Sequence, residues 1–270
     1  AVRRPQRRNR PMLVGVIHLP ALPGSPGAQL PLETIVASVI DDARALAEAG
    51  FDVCMIENFG DAPFFKDAVP PVTVSAMTVC ALAAIEAVPA LPIAVNVLRN
   101  DAASALAIAH VVGAAAIRIN IHCGARMTDQ GIIEGRAAET LRLRSALRAA
   151  NVAIWADVDV KHSAALAPYP LDQEVHDVVE RGLASAVIVT GDGTGKAVDA
   201  GKLATVRAVA GHAKVLVGSG ATLENLPMLA KSAHGVIVGS ALRDGGRAGG
   251  TIVAARAKEF AAAYRASFAS

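Results

Sequence analysis

Within the segment Trp155-Ala-Asp-Val-Asp-Val-Lys-His162, Asp157, Asp159 and Lys161 occupy every second position. Successive side chains on a β-strand alternate between its faces, so the three are expected to share one face. Two carboxylates and an amine on an otherwise apolar strand are costly to bury unless they are paired or used. Such a set can transfer protons, stabilise charge or, if the amine loses its proton, attack a carbonyl to form a Schiff base. Carboxylates beside a lysine raise its pKa, which favours a charged acid or an electrostatic stabiliser over an imine-forming amine.

The elements that must position this triplet follow from periodicity. Short β-branched apolar runs fall at 13–18, 53–57, 93–97, 116–121, 153–159, 186–190, 215–218 and 235–239. Between them lie amphipathic stretches at 32–49, 72–87, 101–112, 131–150, 171–181, 199–210 and 223–231, and a last helix fits 250–267. Gly50, Gly113, Gly182, Gly211 and Gly235 stand where helices should stop before the next strand. Alternating strands and helices predict parallel pairing. Eight such units in 270 residues predict a single α/β domain, a closed (β/α)8 TIM barrel over residues 12–270. The long connections at 20–31 and 58–71 are expected over the barrel mouth.

In a barrel the reacting groups come from the C-terminal ends of the strands. The first strand ends in His18, the second in Glu57-Asn58, and the third carries Asn96 ahead of Arg99-Asn100-Asp101. The fourth alternates Arg118, Asn120 and His122, and the sixth runs into Thr190-Gly-Asp-Gly-Thr-Gly-Lys196. Asp157, Asp159 and Lys161, with His122, Asn120, Glu57 and His18, form the catalytic set to expect; Asn96, Arg118 and Asp192 are expected to contact substrate. Structural roles compete for several neighbours: Asp101 and Asp172 suit helix N-caps, and Arg99 a salt bridge at the rim. His18, Asp157, Asp159 and His122 are alternatively ligands for a divalent metal.

A second signal follows the seventh and eighth strands, as Gly218-Ser219-Gly220 and Gly239-Ser240. Small residues there let backbone N–H groups approach an anion, and many barrels bind phosphate at this place, next to a helix N-terminus. The run from Thr190 to Lys196 is not a P-loop, because Thr190 stands where the first glycine belongs and Ala197 follows the lysine.

Composition excludes other classes. The apolar fraction of 53% supports a large core, and aromatics at 3% leave Ala, Val, Leu and Ile to build it. Few aromatics and no basic–aromatic interleaving argue against single-stranded nucleic-acid binding, and no nucleic-acid partner is expected. The net charge of +2 rests on Arg3, Arg4, Arg7, Arg8 and Arg10; without them 21 basic residues face 24 acidic ones. Residues 1–11 are expected to be a disordered basic tail. No apolar run is long enough to span a membrane, and three widely spaced cysteines, Cys54, Cys80 and Cys123, suit reduced thiols in the cytoplasm.

Several segments resemble the BtpA family, whose members include SgcQ-like proteins. They are Gly-Val-Ile-His-Leu-Pro-Ala-Leu-Pro-Gly-Ser-Pro (15–26), Ile-Glu-Asn-Phe-Gly-Asp-Ala-Pro-Phe (56–64), Val-Asn-Val-Leu-Arg-Asn-Asp-Ala (95–102), Ile-Arg-Ile-Asn-Ile-His-Cys-Gly-Ala (117–125), Thr-Asp-Gln-Gly-Ile-Ile-Glu-Gly (128–135) and Ala-Asp-Val-Asp-Val-Lys-His (156–162). The resemblance runs from Met12 to Leu242 and implies a TIM barrel related to phosphate-binding barrel enzymes. It also implies two kinds of role. One is photosystem I biogenesis, in which a member behaves as a peripheral membrane protein; the other is sugar or nucleoside metabolism. It implies no particular catalytic residue. Together these readings predict a homo-oligomeric enzyme acting on a phosphorylated sugar or ribosyl phosphate. The alternative is a non-catalytic assembly factor for a membrane complex, for which peripheral membrane association stays open.

Overall fold

A computed structural model describes residues 10–191 and 198–268. Eight parallel strands close into a barrel: β1 (Met12–His18), β2 (Val53–Glu57), β3 (Ile93–Asn96), β4 (Ala116–Ile119), β7 (Ala153–Val158), β9 (Ala186–Val189), β10 (Lys214–Val217) and β11 (Gly235–Val238). They neighbour one another in that order, and β11 pairs back onto β1 with Met12 opposite Gly235. That closure needs a glycine: a Cβ at Gly235 would lie 2.1 Å from the Met12 carbonyl oxygen. Helices α1 (Leu32–Ala49), α2 (Pro71–Ala87), α3 (Ala102–Val112), α4 (Ala137–Ala146), α5 (Leu171–His176), α6 (Ala200–Val209), α7 (Leu226–Leu229) and α8 (Ala254–Phe268) follow the strands. Among the described residues no helix is long and apolar enough to cross a membrane.

The two-residue period of the strands sorts their side chains into two apolar layers. Leu13, Ile17, Ile56, Ile93, Val95, Ile117 and Ile154 join the layer shared with the helices. Val14, Val16, Met55, Ala94, Ala116, Trp155, Ile188, Leu216 and Ile237 fill the barrel interior. Continuing each inward series by one step reaches His18, Glu57, Asn96, Arg118, Asp157, Thr190, Gly218 and Gly239. The polar end of the barrel is therefore the last inward position of β1, β2, β3, β4 and β7, with Thr190, Gly218 and Gly239 one residue past β9, β10 and β11, and it sits on a plug that includes the chain's single tryptophan.

Several expected boundaries shift. The stretch 131–150 is not one helix: Gly131 takes φ +92°, and β5 (Ala125–Thr128) and β6 (Gly131–Glu134) form an antiparallel hairpin before α4 starts. A third short strand, β8 (Ser163–Ala165), pairs with β5. Helix α5 continues as a π-helical turn, Asp177–Arg181. Gly50 and Gly113 cap α1 and α3 in the left-handed conformation, as expected. Gly182, by contrast, ends its helix at φ −81°, and Gly235 is the first residue of β11 rather than a cap. Asp101 caps α3 by accepting from the Ser104 N–H, while Asp172 lies inside the first turn of α5, which starts after Pro170.

Asp42 on α1 is buried, and its Oδ1 accepts a 2.7 Å hydrogen bond from the Ile252 N–H, fixing the entry to α8. Burial outweighs that bond and raises its pKa from 3.8 to about 6. The folded state therefore holds this proton more tightly than the unfolded chain, so its contribution to stability falls as pH rises from about 4 to about 6. At about 1.4 kcal/mol per pKa unit, the effect is about 3 kcal/mol. Asp42→Asn is expected to be more stable than the parent at pH 8 and to lose the advantage at pH 4. Urea denaturation at both pH values checks this; equal differences at the two would refute it.

Candidate active site

The ends of the strands bring most, but not all, of the expected residues together. Arg118 is buried at the centre. Its Nε donates to Asp157 Oδ1 at 2.9 Å and one terminal nitrogen to Oδ2 at 2.8 Å; the other lies 3.9 Å from Glu57 Oε2. Burial opposes its charge, but Asp157 and then Glu57 outweigh burial and push its pKa up. The Asn120 amide reaches Asp157 Oδ2 at 3.4 Å, and Asn96 donates to Asn120 Oδ1 and to the Arg118 carbonyl. Asn96, Asn120, Arg118, Asp157 and Glu57 are thus one buried polar network.

His18 stands beside it, tilted against the Phe59 ring with centroids 4.6 Å apart. Its Nδ1 accepts from the Gly249 N–H at 3.2 Å, so in the neutral ring Nε2 carries the proton and faces Glu57 Oε1 at 3.8 Å. Burial first, then Arg243, Lys161 and Arg118, hold its pKa well below the usual histidine value.

The triplet itself is divided. The strand ends at Val158, and Asp159 takes φ +44°, which breaks the alternation. Asp157 points inward to Arg118. Asp159 turns away, half-exposed, to pair with Arg126 and with the Lys202 amine at 2.7 Å. Burial acts to raise the Asp159 pKa, but Lys202 and Arg126 outweigh it and hold the carboxyl below the usual range. Lys161 is fixed by its backbone: its N–H donates to Thr190 Oγ1 and its carbonyl accepts from Arg99. Arg99 is therefore a buried backbone clamp rather than a rim salt bridge. The expectation that two flanking carboxylates raise the Lys161 pKa is reversed. Burial first, then Arg118, lowers it, against Glu57 and Asp157.

His18, Glu57, Arg118 and Lys161 line one wall of a cavity of about 300 Å³ at the barrel mouth. A second wall, residues 218–224 after β10 and 239–241 after β11, lines the same cavity and includes Gly218, Ser219, Gly220, Gly239 and Ser240. Small residues are required there. A Cβ on Gly218 would lie 2.3 Å from Ile188 Cγ2, one on Gly239 2.7 Å from His18 Cε1, and Gly220 has φ +71°. The first loop is held by Asn225, which donates to the Gly220 carbonyl and accepts from the Thr222 N–H. The helix N-terminus expected beside these loops is reduced: only four-residue α7 follows β10, and a 3-10 turn at Ser240–Leu242 separates β11 from α8.

His122 does not line this cavity. His122 is buried against the Gly182 carbonyl, 2.8 Å from its Nε2, and burial lowers its pKa; it joins the end of β4 to the turn before β9. Asp192 lies outside the described residues. The metal candidates His18, Asp157, Asp159 and His122 face different partners, and among the described residues no three His, Cys, Asp or Glu side chains gather to hold an ion. The thiols are also unsuited to attack: burial pushes Cys123 up to about 11, Cys80 to about 12 and Cys54 higher still.

Sequence reading missed Arg243, Arg126, Lys202 and Asn225. Arg243 is 2% exposed and donates to the carbonyls of Gly239, Val16 and Gly250, tying the loop after β11 to β1. Backbone carbonyls as partners, one of them 227 residues away, leave no spacing signal in a sequence. Arg126 and Lys202 were legible only once Asp159 was known to turn outward.

The sequence profile of the BtpA family matches residues 9–266. The photosystem I biogenesis protein BtpA of Synechocystis is 44% identical over 231 residues, 86% of this chain and 80% of that protein. The chain belongs to the BtpA family. The solved structure of 3-keto-L-gulonate-6-phosphate decarboxylase from Vibrio cholerae superposes with a TM-score of 0.58 at 14% identity, covering 96% of this chain and 98% of that one. Phosphoribosyl anthranilate isomerase from Thermus thermophilus gives 0.57 at 14% identity, covering 94% and 99%. At this identity the likeness is one of fold, a TIM barrel.

The division of the two aspartates is measurable. Asp157→Asn leaves Arg118 as a buried charge without its main partner and is expected to cost about 3–5 kcal/mol of stability. Asp159→Asn breaks a half-exposed pairing and is expected to cost about 1 kcal/mol or less. Chemical denaturation of both variants checks the order; equal losses would contradict the geometry.

Proposed function

We propose that this BtpA-family barrel is an enzyme acting on a phosphorylated sugar or a ribosyl phosphate. The observation that carries the reading is one cavity lined both by glycine- and serine-rich backbone after β10 and β11 and by His18, Glu57, Arg118 and Lys161. In this reading residues 218–220 and 239–240 hold the phosphate through backbone N–H groups, the place where many barrels do so. Arg118 supplies a fixed positive charge, Glu57 and Lys161 exchange protons with the substrate, and neutral His18 donates from Nε2. Asp157, Asn96 and Asn120 position Arg118 without touching substrate. Isomerisation, aldol-type cleavage and glycosidic cleavage each fit these groups. Cytoplasmic location and self-association belong to the same reading. Similarity to the Synechocystis protein favours a second one, a non-catalytic assembly factor for a membrane complex.

Inorganic phosphate and ribose 5-phosphate are expected to raise the melting temperature. At ten times Kd the stabilisation is about 1.4 kcal/mol. Ser240→Glu, which places a carboxylate in the phosphate wall, is expected to abolish the shift. Absence of any shift in the parent with either ligand would count against the enzyme. Undiminished cellular function of Lys161→Ala would favour the assembly factor.

A further inference from the structure

We propose that the groove at the N-terminal ends of β10, β11 and β1 binds a ligand carrying a chain of phosphoryl groups, at the end of the barrel opposite the mouth. Barrels do their chemistry at the C-terminal ends of the strands, so this is a binding site and not a second catalytic one. It stands or falls independently of the reading of the mouth.

The groove has a volume of about 830 Å³, against about 300 Å³ at the mouth, which leaves room for more than a single phosphate. Three neighbouring strands start at it: Arg10 and Pro11 lead into β1, Lys214 opens β10, and His234 precedes β11. Arg207 comes from the last turn of α6 and Lys231 from just after α7. Among the described residues that line it, none is acidic.

The positive charge is barely cancelled from beside. Arg10 has Asp52 at 3.8 Å. Among the described residues, Arg207, Lys214 and Lys231 form no ion pair. The Lys214 amine donates to the Arg10 carbonyl at 3.3 Å, which holds it at the groove. His234 Nδ1 accepts from the Val215 N–H at 2.8 Å, so in the neutral ring Nε2 carries the proton and is a donor. Burial first, then Arg207 and Lys214, lower the His234 pKa, so these cations act on one place.

A cation near a helix C-terminus has a structural use, which accounts for Arg207 and Lys231. It does not account for Lys214 and His234, which stand at the starts of strands. Like charges gathered without counter-charge repel one another, and a bound anion relieves that. Cations arriving from separate elements match a ligand whose charge is spread along its length. A phosphoryl chain provides this: a guanidinium takes two oxygens of one group through its fork, and an ammonium acts as a point charge. Such a chain occurs free, as on a nucleotide, and as the head group of a phosphoinositide lipid.

The test is titration calorimetry of the whole chain with sodium tripolyphosphate at low salt, beside sedimentation with phosphatidylcholine vesicles with and without a phosphatidylinositol bisphosphate. Binding is expected to weaken by about tenfold or more in the double variant Arg207→Glu/Lys231→Glu, whose parent side chains are exposed. It is expected to be unchanged in Lys66→Glu, a charge reversal elsewhere on the surface. Arg3, Arg4, Arg7 and Arg8 stay in every variant, so binding that survives the double reversal would lie elsewhere and overturn the proposal. Ser240→Glu, which alters the mouth, is expected to leave this binding intact; its loss there would put the anion at the mouth and overturn the proposal too. Sedimentation with the phosphoinositide vesicles that the double reversal removes would support the site with a lipid as its source. Tripolyphosphate binding without sedimentation would support it with a soluble one. Binding of neither would overturn it.

Discussion

Arg118 is a guanidinium taken out of water at the centre of a barrel, and the geometry of the mouth depends on how that charge is satisfied. Desolvating an ion inside a protein costs several kcal/mol, and the cost is offset only by close, well-directed partners. Asp157 provides them in bidentate form, Asn120 and Asn96 take up neighbouring valences, and Glu57 completes the charge balance. The pair cannot move without exposing an unpaired charge, so it acts as a rigid post. Its positive field reaches His18 and Lys161, and both are held below their usual pKa by burial and by Arg118. A structural ion pair and the tuning of a reactive cluster are here one arrangement.

Much of the fold was legible, for one reason. A barrel strand buries both faces, so its β-branched runs stand out, and the alternation inside each run states which residues point inward. Extending it by one step puts His18, Glu57, Asn96, Arg118 and Asp157 at the polar end. The same rule failed two residues later, because Asp159 takes a left-handed conformation and leaves the strand. Alternation carries no information past the last residue of extended backbone. The hairpin at β5 and β6 was hidden in the same way: its apolar residues fit a helical spacing, and only Gly131 at positive φ, a conformation a sequence suggests but does not state, turns the chain. His122 belonged by spacing to the β4 series but lies beyond the strand's end, where the chain turns it toward Gly182.

The two walls of the cavity are built on different principles. One is side chains locked by charge; the other is backbone kept bare by glycine, since Gly218 and Gly239 leave no room for a Cβ against Ile188 and His18. Arg243 joins them, because its guanidinium ties the carbonyls of Gly239 and Gly250 to that of Val16 on β1. An anion held at the bare wall would therefore sit at a fixed separation from the charged one, which is the positioning that oriented catalysis needs.

The central claim is that the loops after β10 and β11 are a phosphate site facing Lys161. Its most direct test is a crystal structure of the protein with inorganic phosphate. The account predicts phosphate density against the backbone of residues 218–222 and 239–241, within the cavity that Lys161 lines. Phosphate bound instead in the basic groove of Arg207, Lys214 and Lys231, with the mouth empty at saturating concentration, would contradict it.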